Sequence, residues 1–552
     1  MHWLALHLPR LSLEALAATL PANGADAADK TEQPLALLDG QHRIGPVNPA
    51  AAAAGVRPGL KRATALALAP TLRLGQADPA RDTLALHAVA HAALAFTPMV
   101  TLEAGHHTVL LELQASLRLF GGAVRLRRRL LDALAPLAHR LQLAAAPTPL
   151  GAALLARWAA AGPAAGAGDA EALLDGPHVN ELGALQARLD AAPVWLLGPG
   201  REHWEALQGM GLHRLADLRA LPRAGLTRRF GATLLADLDR ARGDTPDPRR
   251  PLALPPVFDQ RLELFARADS TAQVLHGASA LLARLVAWAQ AQHGRIAGFT
   301  LLMQHEPRLR GAGLPPTTLR VELAEPAADA THLALLLRER LAWVTLAAPT
   351  LELRLRCHRL VHAPAPNGEL FPSRQGEREG LARLLERLRA RLGDTQVQGL
   401  RPHADHRPEH ATQRLPAVGA GASCGSASAL TSLTSLRSLG SPTPRLPLRR
   451  PSWLLPQPMP LAERAALPLL DGRPLQLLSG PERIEAGWWD VGLPAADRAE
   501  GGEGGEGSDR ATLAARDYFI AQTEQGALVW VFRSRLPLTT VDSGWFLQGR
   551  FG

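Results

Sequence analysis

Three imidazoles of this chain, His7, His106 and His107, are of a type that ligates transition metals. A structural zinc needs a full set of nitrogen or sulfur ligands, and no cysteine stands near them. The two cysteines, Cys357 and Cys424, are far apart and form no metal-spaced pair. The histidines are expected to pack or to solvate, and neither a metal nor another cofactor is expected. Glycine suggests a second chemistry. Residues 194–200 read Val-Trp-Leu-Leu-Gly-Pro-Gly, a helical stretch runs to Leu207, and Gly-Met-Gly-Leu-His-Arg-Leu-Ala-Asp-Leu follows from 209. Gly198, Gly200, Gly209 and Gly211 would let backbone N–H groups approach a phosphate, with the partial positive charge of a helix N-terminus behind them. On spacing alone, the pattern equally describes an αα-hairpin with glycine caps. A third candidate is Pro-Asn-Gly-Glu-Leu-Phe-Pro at 366–372. Its Pro and Gly keep the segment out of a helix, so Leu370 and Phe371 suit either an extended plug for an apolar pocket or local packing.

The elements that must position these groups follow from periodicity. Residues 3–8 read as a short buried strand and 9–20 as a helix. Residues 22–33 are a polar loop, and 35–45 hold a strand and a turn. Residues 47–75 read as helix, Gly stop, Pro-Gly turn, helix, Pro stop and strand. Helices are expected over 78–96, 124–141 and 150–161, and strands over 99–103 and 108–113. A Pro- and Arg-rich tether spans 244–256. Beyond it, 257–265, 272–293, 299–305, 319–323, 328–343 and 351–360 alternate as βαββαβ, which suits a small sheet with two helices on one face. Residues 363–376 are expected to be flexible, 378–392 form a helix, and 416–447 are a low-complexity Ser/Ala/Gly/Thr/Pro linker. Residues 451–490 and 515–552 carry most of the late aromatics, are joined by a Gly/Glu linker at 500–508, and predict a small β-rich domain.

A chain of 552 residues, 47% of them hydrophobic, has enough apolar content for several cores, which excludes a protein disordered over most of its length. The formal net charge is +9, with lysine only at Lys30 and Lys61. The Arg bias reads as genomic; the net charge favours a polyanionic partner. No signal peptide and no membrane-spanning stretch is expected. The cysteine usage fits a reducing cytoplasm.

Residues 3–14, Trp-Leu-Ala-Leu-His-Leu-Pro-Arg-Leu-Ser-Leu-Glu, and 105–122, Gly-His-His-Thr-Val-Leu-Leu-Glu-Leu-Gln-Ala-Ser-Leu-Arg-Leu-Phe-Gly-Gly, resemble the two palm segments of Y-family translesion polymerases. Residues 47–75 resemble the fingers, 194–222 the helix-hairpin-helix of the thumb, and the tethered βαββαβ unit the little finger. Residues 478–490, Leu-Ser-Gly-Pro-Glu-Arg-Ile-Glu-Ala-Gly-Trp-Trp-Asp, and 544–552, Gly-Trp-Phe-Leu-Gln-Gly-Arg-Phe-Gly, look like the C-terminal region of the ImuB family, polymerase-like proteins that act as adaptors. The resemblance implies an α/β multidomain fold. Its expected parts are a palm over 1–20 and 76–165, fingers over 21–75, a thumb over 166–245 and a little finger over 246–362. A clamp-binding linker over 363–376, a helix and low-complexity linker over 377–450 and a β-rich interaction domain over 451–552 complete it.

The same resemblance locates the chemistry that is missing. Nucleotidyl transfer uses paired divalent ions held by clustered carboxylates. Aligning on Glu14 puts Ala5 and His7 where the first acids belong; aligning on Ser116 puts His107 and Thr108 at the second pair. Pro49 and Ala52 replace the Tyr and Arg that handle the nucleotide in the fingers, and Ala153 replaces a triphosphate-holding Lys. Glu103 and Glu112 are the acids nearby, and Glu112 matches a later structural Asp. In the segment resembling the sliding-clamp pentapeptide, Asn367 stands for Gln, Glu369 for the short polar residue, and Leu370 with Phe371 for the plug. Gln457-Pro-Met-Pro-Leu461 is a weaker rival. Arg295, Arg320 and Arg354, with Arg308, Arg310 and Arg356, would face a duplex backbone or form a solvated charged face. The implied partners are DNA, the β sliding clamp, an error-prone C-family polymerase and a RecA-like ImuA-type protein, in a non-catalytic role in damage-induced mutagenesis. An active Y-family polymerase and a stand-alone DNA-binding protein are the alternatives.

Overall fold

Small and apolar residues on both faces of Trp3–His7 suit it to the inside of a sheet, because helices can then cover it from either side. The structure, a computed structural model, describes residues 2–20, 33–162, 173–306, 315–362, 374–393, 395–416, 450–487, 514–535 and 544–551. They fall into two units, Met1–Arg391 and Leu392–Gly552, each considered by itself.

The first unit begins β1 (Trp3–His7), α1 (Leu11–Ala17), β2 (Leu35–Leu38), β3 (Ile44–Val47), α2 (Pro49–Ala53), α3 (Arg62–Leu68), β4 (Arg73–Gln76) and α4 (Pro79–Leu94). It continues β5 (Val100–Glu103), β6 (Thr108–Glu112), α5 (Ala123–Leu134), β7 (Gln142–Ala146) and α6 (Pro149–Ala161). Strands β5-β6-β1-β7 form one sheet and β3-β2-β4 a small second one. Leu4 and Leu6 cluster with Leu86 and Val89 of α4 and with Leu126 and Leu130 of α5. Trp3 and Ala5 cluster on the other side with Ala152 and Ala153 of α6. The basic helix expected to run to 141 ends at Leu134, where Pro136 in a single 3-10 turn cannot continue it.

Short helices follow at Leu182–Asp190, Gly198–Glu202, Trp204–Gly209, Leu215–Arg219, Arg223–Phe230 and Ala232–Arg242. Their Leu185, Leu207, Leu234 and Leu238 join the α6 core. The βαββαβ expectation holds: β8 (Asp259–Ala268), β9 (Gly294–His305), β10 (Thr317–Ala327) and β11 (Thr350–His362) alternate with helices Thr271–Ala291 and Ala330–Leu341. The sheet is antiparallel, in the order β10-β9-β11-β8. Both helices share one core with it through Leu281, Leu285, Leu333 and Leu337, so the other face is open. Ala287 of the first of these helices is buried with the core of α4 and α5. Arg284, one turn earlier, is 5% exposed and lines two cavities of about 360 and 760 Å³, between that helix and α1 and between β8 and the start of α4.

The helix expected over 378–392 starts earlier, at Arg374, and ends at Leu392. It belongs with the βαββαβ sheet. Glu386 accepts from the backbone N–H of Ala324 at 2.6 Å and of Glu325 at 3.0 Å, and lies 2.8 Å from Nε2 of the buried His332.

In the second unit, β12 (Gln398–Pro402) and β13 (Thr412–Pro416) form a hairpin. A seven-stranded sheet, β14 (Trp453–Arg464) to β20 (Trp545–Arg550), has the order β16-β15-β14-β20-β19-β18-β17, as the aromatic-rich segments predict. Tyr518 and Trp530 stack with ring centroids 4.1 Å apart, and the Tyr518 hydroxyl donates to Gln548 Oε1 at 2.6 Å. Arg516 joins the sheet to Glu409 near the hairpin at 2.9 Å.

Candidate functional site

Pairing of β1 with β6 sets His7 opposite Thr108 and Ala5 opposite Leu110. The two segments singled out in the sequence therefore lie side by side. Ala5 is fully buried, in one apolar cluster with Leu110, Ala144 and Ala153. A dry contact between small side chains occupies the place where a carboxylate would have to be solvated or paired. Thr108 is also fully buried. Its hydroxyl donates to the His106 carbonyl at 2.9 Å and lies 3.1 Å from Nδ1 of His7. With the hydroxyl proton committed, the remaining bond needs Nδ1–H of His7 as donor.

His107 takes a left-handed backbone at φ 47° and holds Nε2 3.8 Å from Asp82 Oδ2, an oxygen that also accepts the Ser12 hydroxyl. The other acids are engaged in structure. Glu103 pairs with Arg249 at 3.0 Å, which also binds Asp247 at 2.6 Å. Glu112 accepts backbone N–H groups of His2 and Gln114 at 3.3 and 3.2 Å, the structural role expected of it. Glu14, the anchor of the first alignment, accepts from Arg140 N at 3.1 Å and meets His139 Nδ1 at 3.1 Å, tying α1 to the lead-in of β7. Among the described residues no group of three or more His, Cys, Asp and Glu could hold a metal ion.

A residue that the sequence did not single out contributes to the electrostatics of the site. Arg157 follows Ala153 by one turn of α6, is 8% exposed, and donates from Nε to the Ala153 carbonyl at 3.4 Å. Burial, then the Arg157 charge, pushes His7 down to about 4. Burial, then Arg157 and Arg201, does the same to His106. Both imidazoles are neutral at pH 7. The signal was one cation inside the Ala/Leu run of 150–161, which amphipathic periodicity does not flag.

Pro49 and Ala52 lie exposed on α2. That helix is capped by Asn48, whose Oδ1 accepts from Ala51 N and Leu35 N at 2.9 Å.

The hairpin glycines have separate causes. Gly198 opens its helix, and a Cβ there would sit 3.8 Å from His106 Nε2. A Cβ on Gly200 would meet the Val194 carbonyl at 2.2 Å, so glycine there permits close packing within the hairpin. Gly209 ends its helix in open space. Gly211 is left-handed at φ 76°, and Leu212 N returns to the Leu207 carbonyl at 2.9 Å, a glycine helix stop.

Arg320 and Arg354 project from the sheet face opposite its helices and are paired there with acids, at 2.7 Å each to Glu322 and Asp259. Arg295 is half-buried on β9, opposite Val361. Asn367, Glu369, Leu370 and Phe371 lie outside the described residues, as do Arg308, Arg310, Cys424, Trp488, Trp489 and the linkers at 417–447 and 500–508. No helix among the described residues is long and apolar enough to cross a membrane.

No family model matches the chain. Protein ImuB of Caulobacter vibrioides is similar to it, 28% identical over 519 residues that cover 90% of this chain and all of the relative, in strains NA1000 / CB15N and ATCC 19089 / CIP 103742 / CB 15 alike. Among solved structures, DinB from Sulfolobus solfataricus is 14% identical over 65% of this chain and 99% of its own, with a TM-score of 0.36. A Dbh ternary complex is 13% identical over 66% of this chain and all of its own, with a TM-score of 0.36. Among the described residues, the site formed by the paired segments is apolar and imidazole-lined, with no cluster of acids that could hold a metal ion. The chain is thus similar to Protein ImuB over nine-tenths of its length, at 28% identity.

Proposed function

We propose that this protein is a non-catalytic adaptor in error-prone translesion DNA synthesis. The observation that carries the reading is the pairing of β1 with β6, which sets His7 opposite Thr108; with Ala5 and His107 these are the positions that the family resemblance gives to the acids of a two-metal site. A buried Arg157 beside His7 and His106 makes the neighbourhood cationic, the opposite of what would concentrate Mg²⁺. In this reading residues 1–20 and 76–165 serve as palm, 21–75 as fingers, 166–245 as thumb and 246–362 as little finger, and together they hold primer-template DNA. Asn367, Glu369, Leu370 and Phe371 dock on the β sliding clamp. Residues 451–552 recruit an error-prone C-family polymerase and a RecA-like ImuA-type protein in the cytoplasm. Weak contacts linked in this way gain avidity through effective concentration.

Primer extension by the purified full chain with Mg²⁺ or Mn²⁺ tests the catalytic half of the proposal: no incorporation is expected, and robust incorporation overturns it. Clamp binding by the Leu370→Ala, Phe371→Ala double variant tests the docking segment. Loss of binding is expected, and binding equal to the parent removes the assignment. A pull-down of the C-family polymerase with and without residues 373–552 tests recruitment; retention by the shortened chain contradicts the role given to the C-terminal region.

A further inference from the structure

The open face of the βαββαβ sheet carries cations that are already bound to acids of the same face. Asp259 on β8 accepts from Arg354 Nε and Nη2 at 2.7 Å each, the parallel two-bond geometry with which arginine also holds a phosphate. The same carboxylate accepts from Arg356 Nε at 2.9 Å. On β10, Glu322 takes Arg320 Nη2 at 2.7 Å, His358 Nε2 at 2.8 Å and Arg359 Nη2 at 3.1 Å.

The second cluster is built into the backbone. His358 and Glu322 belong to strands on either side of β9, and they meet above Gly298. A Cβ on Gly298 would stand 2.5 Å from His358 Nε2 and 2.7 Å from Glu322 Oε2. Glycine there leaves the gap through which carboxylate and imidazole join. The two acids are held in the charged form: the Arg354 bond draws Asp259 below the usual carboxylate range despite its burial, and for Glu322 burial opposes but the His358 and Arg320 bonds prevail. The pairs are nonetheless wet, with side-chain exposures of 29% for Asp259 and 39% for Glu322. A competing anion can reach the arginines from solvent, and exposed ion pairs of this kind exchange at little cost.

We propose that Asp259 and Glu322 are internal stand-ins for DNA phosphates, so that this face meets a duplex backbone by exchanging two carboxylates for two phosphates. The proposal rests on the reading of this unit as DNA-holding and deepens it. The exchange releases no net charge from the face, so the parent protein binds duplex weakly and with a shallow salt dependence. A carboxylate made neutral leaves its arginines free, and each freed phosphate contact adds about 0.9 to the salt slope.

The test is duplex binding by the full-length protein, read by fluorescence anisotropy of a labelled primer-template between about 50 and 200 mM salt. Asp259→Asn and Glu322→Gln are the variants. Glu524→Gln, which removes the partner of Arg473 in the other unit, matches their change in net charge. We expect Asp259→Asn to tighten binding by on the order of tenfold with a steeper salt slope, Glu322→Gln to act in the same direction, Glu524→Gln to do little, and Arg354→Ala in the Asp259→Asn background to reverse the gain. Equal gains from Asp259→Asn and Glu524→Gln would reduce the effect to net charge and overturn the proposal. Parent binding that neither sheet variant alters would overturn it while leaving the DNA-holding reading intact. Absence of binding by parent and variants alike, with unchanged thermal unfolding, would remove both.

Discussion

Nδ1 of His7 and Oγ1 of Thr108 are 3.1 Å apart across paired strands, and the same hydroxyl donates to the His106 carbonyl. One buried oxygen thus ties together two strands and the turn between β5 and β6. Thr108→Val keeps the shape and removes both bonds. It takes the hydroxyl away from the His7 ring and from the His106 carbonyl, so unfolding free energy should fall by about 1–3 kcal/mol. Urea titration followed by far-UV circular dichroism measures this, and a midpoint equal to the parent's would show that water replaces the hydroxyl.

Restoring one acid to the first strand should not restore a polymerase. Ala5 has no exposed surface and sits among Leu110, Ala144 and Ala153. Ala5→Asp places a carboxylate in that dry cluster, at a cost of about 3 kcal/mol. The variant is expected to unfold at lower urea than the parent and to incorporate no nucleotide.

The pH response follows from four imidazoles of the first unit. His7, His91, His106 and His178 are each pushed down to about 4, in every case first by burial. An unfolded chain takes up these protons near 6.5, the folded one only near 4. Their contribution is complete above pH 6.5, is lost as pH falls from 6.5 to 4, and changes no further below that. His91 is the cleanest case, because both ring nitrogens are buried without a partner among the described residues. Within that window it contributes a slope of up to about 1.4 kcal/mol per pH unit. His91→Leu should remove this share and leave stability at pH 7.5 equal to or above the parent's. Thermal unfolding from pH 4.5 to 7.5 reads both, and an unchanged slope would contradict the assignment.

The hairpin glycines should separate by substitution. A methyl on Gly200 collides with the Val194 carbonyl, whereas one on Gly209 meets nothing within 4 Å. Gly200→Ala is expected to destabilise by about 1–3 kcal/mol. Gly209→Ala should be neutral or stabilising by up to about 1 kcal/mol, since alanine is the better helix former. Differential scanning calorimetry of the two variants, side by side, decides.

Much of the βαββαβ sheet was legible because its strands alternate cleanly. Phe299, Leu301 and Met303 point one way, Leu353 and Leu355 pack with them, and the helices between carry continuous apolar stripes. The lack of carboxylates at Ala5, His7, His107 and Thr108 was legible as well, since it is a property of residue type. What periodicity could not supply was pairing. Asp259 meets Arg354 across 95 positions of chain and Arg356 across 97, and neither arginine gave a sign in sequence that an acid already held it. Arg157 was hidden for a related reason: its burial depends on how α6 crosses the sheet. The end of the basic helix was misplaced because its Leu/Arg pattern continues past Pro136 although the backbone cannot.

Arg284 closes the helix Thr271–Ala291 against α1 with its guanidinium almost out of water, pulled down to about 10 by burial and joined to no described residue. Such a group returns several kcal/mol of hydration when its surroundings open. This one cation therefore works against the apolar contacts, such as those of Ala287, that close the seam.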